Sequence, residues 1–312
     1  MSKVLGLKDQ VLYVDAAIQH LQYGRSTIDL AEELGISRFM VGRMIKRALE
    51  DGLVEVVPRL PEPVDSALSK VLAKKYGLSS AIVVTPPANS DESARIMVAR
   101  LAARLVSELI DEDDIVGLGP GRTIVETCKL IVDVPTCDIV QLTGGATSEP
   151  ETNLLAIMRL SSVAKGRMFP LYAPFLATDP ASARAIAAQP AVRHALLRMD
   201  QLDKAVLTVG GWPHGSLLET HLEELGELES LLEHGVVAEF GTTLLDAEGR
   251  EVKELEGRLI GVTTDQLAKV PVRVAIGGGP GKQEAVVATL KSGLVDVVVT
   301  DERIARVAID AA

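Results

Sequence analysis

Aromatic residues are scarce: one Trp, four Tyr and four Phe amount to 3% of 312 residues. The interior therefore has to be built from Ala, Val, Leu and Ile, within an apolar share of 47% that excludes wholesale disorder. Cysteine is scarcer still. Cys128 and Cys137 have the wrong count and spacing for a zinc site and make no disulfide framework, so reducing surroundings are expected. No stretch of 18 apolar residues occurs, so no segment reads as a membrane-spanning helix. The opening MSKVLGLKDQ lacks the apolar core of a secretory signal, which leads to the expectation of a cytoplasmic protein. The five histidines (His20, His194, His214, His221, His234) fall at no metal-ligand spacing, so no metal site is expected. Positive charge is in deficit too. With 32 Lys and Arg against 43 Asp and Glu the net charge is −11, which argues against indiscriminate binding of polyanions.

What is present divides in two. The length suits two domains of ordinary size, and VPRLPEPVDS, with three prolines in ten residues, reads as an extended linker between them. The expected boundaries are 1–57 for a head, 58–66 for the linker and 67–312 for a body. In the head, DQVLYVDAAIQHLQ (9–22) places Val11, Leu12, Val14, Ala17, Ile18 and Leu21 at helical spacings. Thr27 opens a second helix, Gly35 ends it, and Ser37 caps a third that runs to about Asp51. LVEVV (53–57) then reads as a strand, a candidate wing.

Ala31, Gly35 and Val41, four and six residues apart, supply the small residue, the turn glycine and the later apolar contact of a helix-turn-helix. On the third helix Val41, Met44, Ile45 and Ala48 face inward. Arg38, Phe39, Gly42, Arg43 and Lys46 are left for the outer side, the face such a helix presents to the major groove. Residues 37–47 carry four cations and no acid, a local positive surface in an acidic chain. With Thr27 and Ser37, these five residues are the candidate contacts to double-stranded DNA. The plainer reading is a helical hairpin with solvated basic residues.

Beyond the linker, β-branched runs alternate with helices. Strands are expected at 81–85, 114–119, 138–143, 205–210, 272–277 and 295–300, and helices at 91–110, 122–132, 182–198 and 281–292. Nearly continuous apolar strands separated by helices predict a Rossmann-like α/β domain with a mostly parallel sheet covered on both faces. Four glycine-bearing loops follow strands: GLGPGRT (117–123), TGGATSEP (143–150), GGW (210–212) and GGGPGK (277–282). Glycines there let backbone amides approach an anion, and Arg122 and Lys282 add fixed positive charge. Neither the dinucleotide fingerprint nor the P-loop pattern is complete, since Ile276 and Gln283 stand where a P-loop needs glycine and a magnesium-holding hydroxyl. The loops therefore predict a pocket for a small phosphorylated ligand, with no cofactor. Asp301 could orient a sugar hydroxyl or cap the next helix, and Glu239 could face the same pocket.

With these blocks in hand, the chain resembles the SorC family of bacterial sugar-responsive transcriptional regulators, whose effector domain is similar to phosphosugar isomerases of the glucosamine-phosphate deaminase type. The carriers are residues 30–56, VGLGPGRT (116–123), VQLTGG (140–145), Pro174 and GGPGKQEAVVATLKSGLVDVVVTD (278–301). The resemblance implies a regulator, a repressor or an activator, that binds operator DNA through its head. A sugar phosphate or polyol phosphate in the body would change that affinity, and the assembly would be a homotetramer, a dimer of dimers. It places the effector near Gly119, Gly121, Arg122 and Thr123, near Gly144 and Gly145, and at Lys282. Gly210, Glu239, Gly279 and Asp301 join them from the loop reading. Pro120 and Gly42 depart from residues common in the family. The alternative is an isomerase-like enzyme with an accessory DNA-binding head, with Asp301 or Glu239 as base; no acid–base pair at convincing spacing supports it.

Overall fold

The head holds three helices, α1 (Leu7–Leu21), α2 (Thr27–Leu34) and α3 (Arg38–Glu50), and serine caps set the last two. The hydroxyl of Ser26 accepts from the Asp29 amide and that of Ser37 from the Met40 amide. Thr27 is thus the first helical residue and Ser26 the cap. Gly35 adopts φ +64°, and the Gly35 and Ile36 amides return to the carbonyls of Glu32 and Ala31, closing α2 tightly enough for α3 to begin three residues after Gly35. Ala31, Val41, Met44, Ile45 and Ala48 are buried together with Ala16, Ala17 and Leu30. The structure, a computed structural model, describes residues 5–56, 63–86, 91–145, 150–213 and 216–311. It separates into units 1–61 and 62–312.

One expectation for the head is corrected. Residues 53–56 form no strand: Leu53 and Val54 return their amides to Ala48 and lean on the head core. A lone extended segment has no partner strand to satisfy it, and Val57 lies outside the described residues. On α1 the face turned to the core is that of Ala16 and Ala17, whereas Val11, Leu12 and Leu21 are exposed.

The body starts earlier than expected. Val64 bridges to Val84, and the Asp65 carboxylate accepts from the Ala67 and Leu68 amides to cap α4 (Ser66–Tyr76), so residues 63–66 are already folded. The chain continues through β1 (Ser80–Val84), α5 (Asp91–Leu109), β2 (Ile115–Leu118), α6 (Arg122–Leu130), β3 (Cys137–Gln141), α7 (Pro150–Ala164) and β4 (Lys165–Phe169). Next come α8 (Pro180–Ala187), α9 (Pro190–Arg198), β5 (Lys204–Gly211), α10 (Leu217–Leu225) and α11 (Leu228–Glu233). The antiparallel pair β6 (Ala238–Phe240) and β7 (Thr243–Leu245) follows, then α12 (Thr264–Leu267), β8 (Val272–Gly277), α13 (Gln283–Lys291), β9 (Val297–Asp301) and α14 (Glu302–Ala311). The single helix expected at 182–198 is two helices, because Pro190 starts a new first turn.

Seven strands pair in parallel in the order β1-β9-β8-β5-β2-β3-β4, and β6 adds antiparallel to the end of β5. One face carries Leu72, Val192, Ala195, Val286, Leu290 and Ile304 from α4, α9, α13 and α14. The other carries Val98, Ala102, Ile124, Cys128 and Leu160 from α5, α6 and α7. Coverage on both faces is why the strands read as unbroken apolar runs. From β2 the chain steps through β3 to β4 on one side; from β5 it steps through β8 to β9 on the other. The strand order therefore reverses between β2 and β5, where an open α/β sheet leaves a crevice at its carboxyl edge.

Candidate functional site

A cavity of about 320 Å³ occupies that crevice. The loop after β2 supplies Pro120, Gly121, Arg122 and Thr123; β5 and its loop supply Thr208 and Gly210; the loop after β8 supplies Gly278, Gly279, Pro280 and Lys282. Glu239 enters from β6, Ser216 caps α10, and Glu92 and Arg95 reach in from the start of α5. The volume suits a small metabolite.

Close approach dictates the glycine at 121. Its φ is +127°, and a Cβ there would lie 2.5 Å from Thr208 Oγ1, the hydroxyl that donates to the Pro120 carbonyl at 2.6 Å. Gly121 is the N-cap of α6 and offers no side chain to the first amides of that helix, so its positive end opens on the cavity. Lys282 stands at the N-cap of α13 and donates to the Val209 carbonyl. Its ammonium is pushed down to about 8, first by burial, with Glu239 opposing the shift and Arg122 adding to it. Among the described residues Arg122 makes no ion pair, whereas Arg95 is held by Glu92 at 2.5 Å. Glu239, 5% exposed, accepts from the Ser216 hydroxyl. Burial raises its carboxyl to about 7 against the opposing pull of Ser216 and Lys282.

Of the effector candidates, Gly121, Arg122, Thr123, Gly210, Glu239, Gly279 and Lys282 line this cavity. Four others lie off the lining. Gly119 packs on Leu207. Gly144 sits so close to the next loop that a Cβ would fall 2.2 Å from the Pro174 carbonyl oxygen, and Gly145 bridges to Pro174. Both follow β3, one strand beyond β2 from the reversal. Asp301, fully buried, accepts from the Gly279 amide at 2.8 Å and from the Ile304 amide at 3.1 Å. It caps α14 and tethers the glycine loop. Glu92, Arg95, Thr208 and Ser216 were missed by sequence reasoning; only Ser216, in a Ser-x-x-Glu cap, left a local signal.

In the head, Arg38, Phe39, Gly42, Arg43 and Lys46 are all exposed on one side of α3, Ser37 is exposed at its start, and Thr27 is half-buried. The Arg38 guanidinium lies 5.0 Å from the Phe39 ring centre. Lys46 and Arg47 pair with Glu50 and Asp51, one turn on, so the acid-free stretch is partly neutralised. Arg38 and Arg43 have no ion-pair partner among the described residues.

Residues 64–309 match the family model described as "Putative sugar-binding domain". The chain belongs to the SorC family of sugar-binding transcriptional regulators. It is 27% identical over 95% of its length to the deoxyribonucleoside regulator of Bacillus subtilis (strain 168), covering 96% of that protein. It is 25% identical over 97% of its length to the transcriptional regulator LsrR of Enterobacter sp. (strain 638), covering 94% of it. The full-length sorbitol operon regulator SorC of Klebsiella pneumoniae shares the fold, with a TM-score of 0.71 over 97% of this chain and 99% of that one at 21% identity. A transcriptional regulator with a sugar-binding domain implies DNA and a sugar effector as partners, and the isomerase-like alternative is set aside because the relatives are regulators, not enzymes. Among the described residues no helix is long and apolar enough to cross a membrane.

Proposed function

We propose that the cavity binds a phosphorylated sugar or polyol and that occupancy changes the grip of the heads on operator DNA in the cytoplasm, most simply as a repressor. The observation that carries this reading is the meeting of three glycine loops, the open start of α6, Arg122 and Lys282 at one crevice. Backbone amides and two cations there suit a phosphate, while Glu239 and Ser216, at the β6 side, suit sugar hydroxyls. On the head, Arg38, Arg43 and Lys46 grip phosphates, Phe39 and Gly42 approach the groove, and Thr27 and Ser37 hold the backbone at the helix starts. A homotetramer, as a dimer of dimers, would set heads about 34–36 Å apart or a multiple of it on successive major grooves. The effector acts only through different affinities for two arrangements of those heads, typically about 1–3 kcal/mol.

A thermal-shift series on the full chain, pairing each phosphorylated sugar or polyol with its unphosphorylated parent, tests this. Stabilisation by phosphorylated members alone is expected; equal stabilisation by the parents overturns the phosphate assignment.

A further inference from the structure

The exposed side of α1 carries a stripe that the head's own core does not use. Leu7, Val11, Val14, Ile18 and Leu21 follow one another at spacings of four, three, four and three residues. Leu7 is 76% exposed, Val11 62% and Leu21 46%, while Val14 and Ile18 are half-buried. The core-facing residues of the same helix, Tyr13, Ala16 and Ala17, lie roughly 130° further round at 3.6 residues per turn. The helix thus has two separate apolar faces, one packed on α3 and one largely exposed.

We propose that this stripe is the contact by which two heads pair, α1 of one copy against α1 of a second copy of the chain. Alternating steps of four and three residues keep a seam facing a partner helix over several turns. The residue types suit a two-helix seam: Val11 and Ile18 occupy one core position and Leu7, Val14 and Leu21 the other, all of them aliphatic. The flanks suit a like partner. Lys8 and Asp15 stand on the same edge of the stripe, seven residues apart, and no charge interrupts the seam itself. Antiparallel helices bring Lys8 of one copy beside Asp15 of the other. A helix of 15 residues gives only two heptads, too few to hold two free chains together, so the pairing depends on the high local concentration that an assembled protein supplies. Head pairing then becomes the adjustable element, formed or lost with small changes elsewhere.

The experiment is thiol cross-linking of the full chain. Cys128 and Cys137 are 1% exposed, and burial pushes both thiols up to about 12, so a thiol introduced on α1 is the reactive one. Val11→Cys reports parallel pairing and Val11→Cys/Val14→Cys antiparallel pairing. Leu12→Cys, exposed but about 100° away round the helix, is the control. One seam variant should form covalent dimer at least about 10-fold faster than the control, and adding Leu7→Lys, at an exposed position, should remove that excess. Equal rates for seam and control, or protection of the seam thiol without dimer, overturns the proposal, the latter meaning that the stripe is covered within one chain. The readout needs neither DNA nor sugar, so its failure leaves the effector reading untouched. Circular dichroism of each variant shows that the head is folded.

Discussion

Glu239 sits where burial and a neighbouring cation compete for its proton. Its carboxyl, raised to about 7 chiefly by burial, binds a proton in the folded chain that it releases near 4.5 when unfolded. Stability therefore falls as pH rises between those values, and the loss persists above about 7. Glu239→Gln should stabilise the protein by about 2–3 kcal/mol at pH 8 and by little at pH 4.5, measured by urea unfolding. An equal gain at both pH values would refute burial of the charged carboxylate as the cause. On the proposed reading, Glu239 and Lys282 also set effector binding. Above pH 7 Glu239 gains a negative charge, and above about 8 Lys282 loses its positive one, so affinity for a phosphate ester should weaken from pH 7 to pH 9. Lys282→Ala should lower that affinity about 10- to 100-fold, the worth of a charge-assisted hydrogen bond, and leave DNA affinity without effector unchanged. Calorimetric titration and a DNA-binding assay separate the two outcomes.

In α3 the exposed surface and the buried surface come from one short sequence read at helical period. Gly42 is the exception, exposed in mid-helix, where a Cβ would meet nothing within 4 Å beyond its chain neighbours and the backbone of its own helix. Gly42→Ala should raise the head's stability by about 1 kcal/mol. If the backbone there lies against DNA, the same change weakens operator binding; undiminished binding would show that the groove leaves room for a methyl group. Arg43→Ala removes a cation with no ion-pair partner among the described residues. It should flatten the dependence of log affinity on log salt by about one unit, read from titrations at several salt concentrations. An unchanged slope would move the DNA contact off this face. The helix itself was legible because Ser37, Gly35 and the 41-44-45-48 spacing are local signals.

For the whole chain, the point of division matters in practice. Asp65 caps α4 and Val64 bridges to β1, so a body cut at residue 67 loses both. It should unfold at lower denaturant than one cut at 63, by about 1–2 kcal/mol. Identical midpoints would mean that the cap is replaced by solvent at no loss.

Local chemistry in the sequence determined the helix starts, the glycine turns, and the six strands whose burial on both faces made them uniformly apolar. It did not show β4, whose KGRMF has no apolar run because Lys165 and Arg167 are exposed, nor β6, three residues long and meaningful only beside β5. Four glycine loops looked equivalent as text. Strand order set β8, β5, β2 and β3 side by side, but packing turned Gly144 and Gly145 onto Ala173 and Pro174 and off the cavity lining, a contact between residues some thirty positions apart that no local pattern reveals. Likewise an apolar stripe on α1 is visible in sequence, but only packing decides that Ala16 and Ala17 turn inward and Leu7 and Val11 do not.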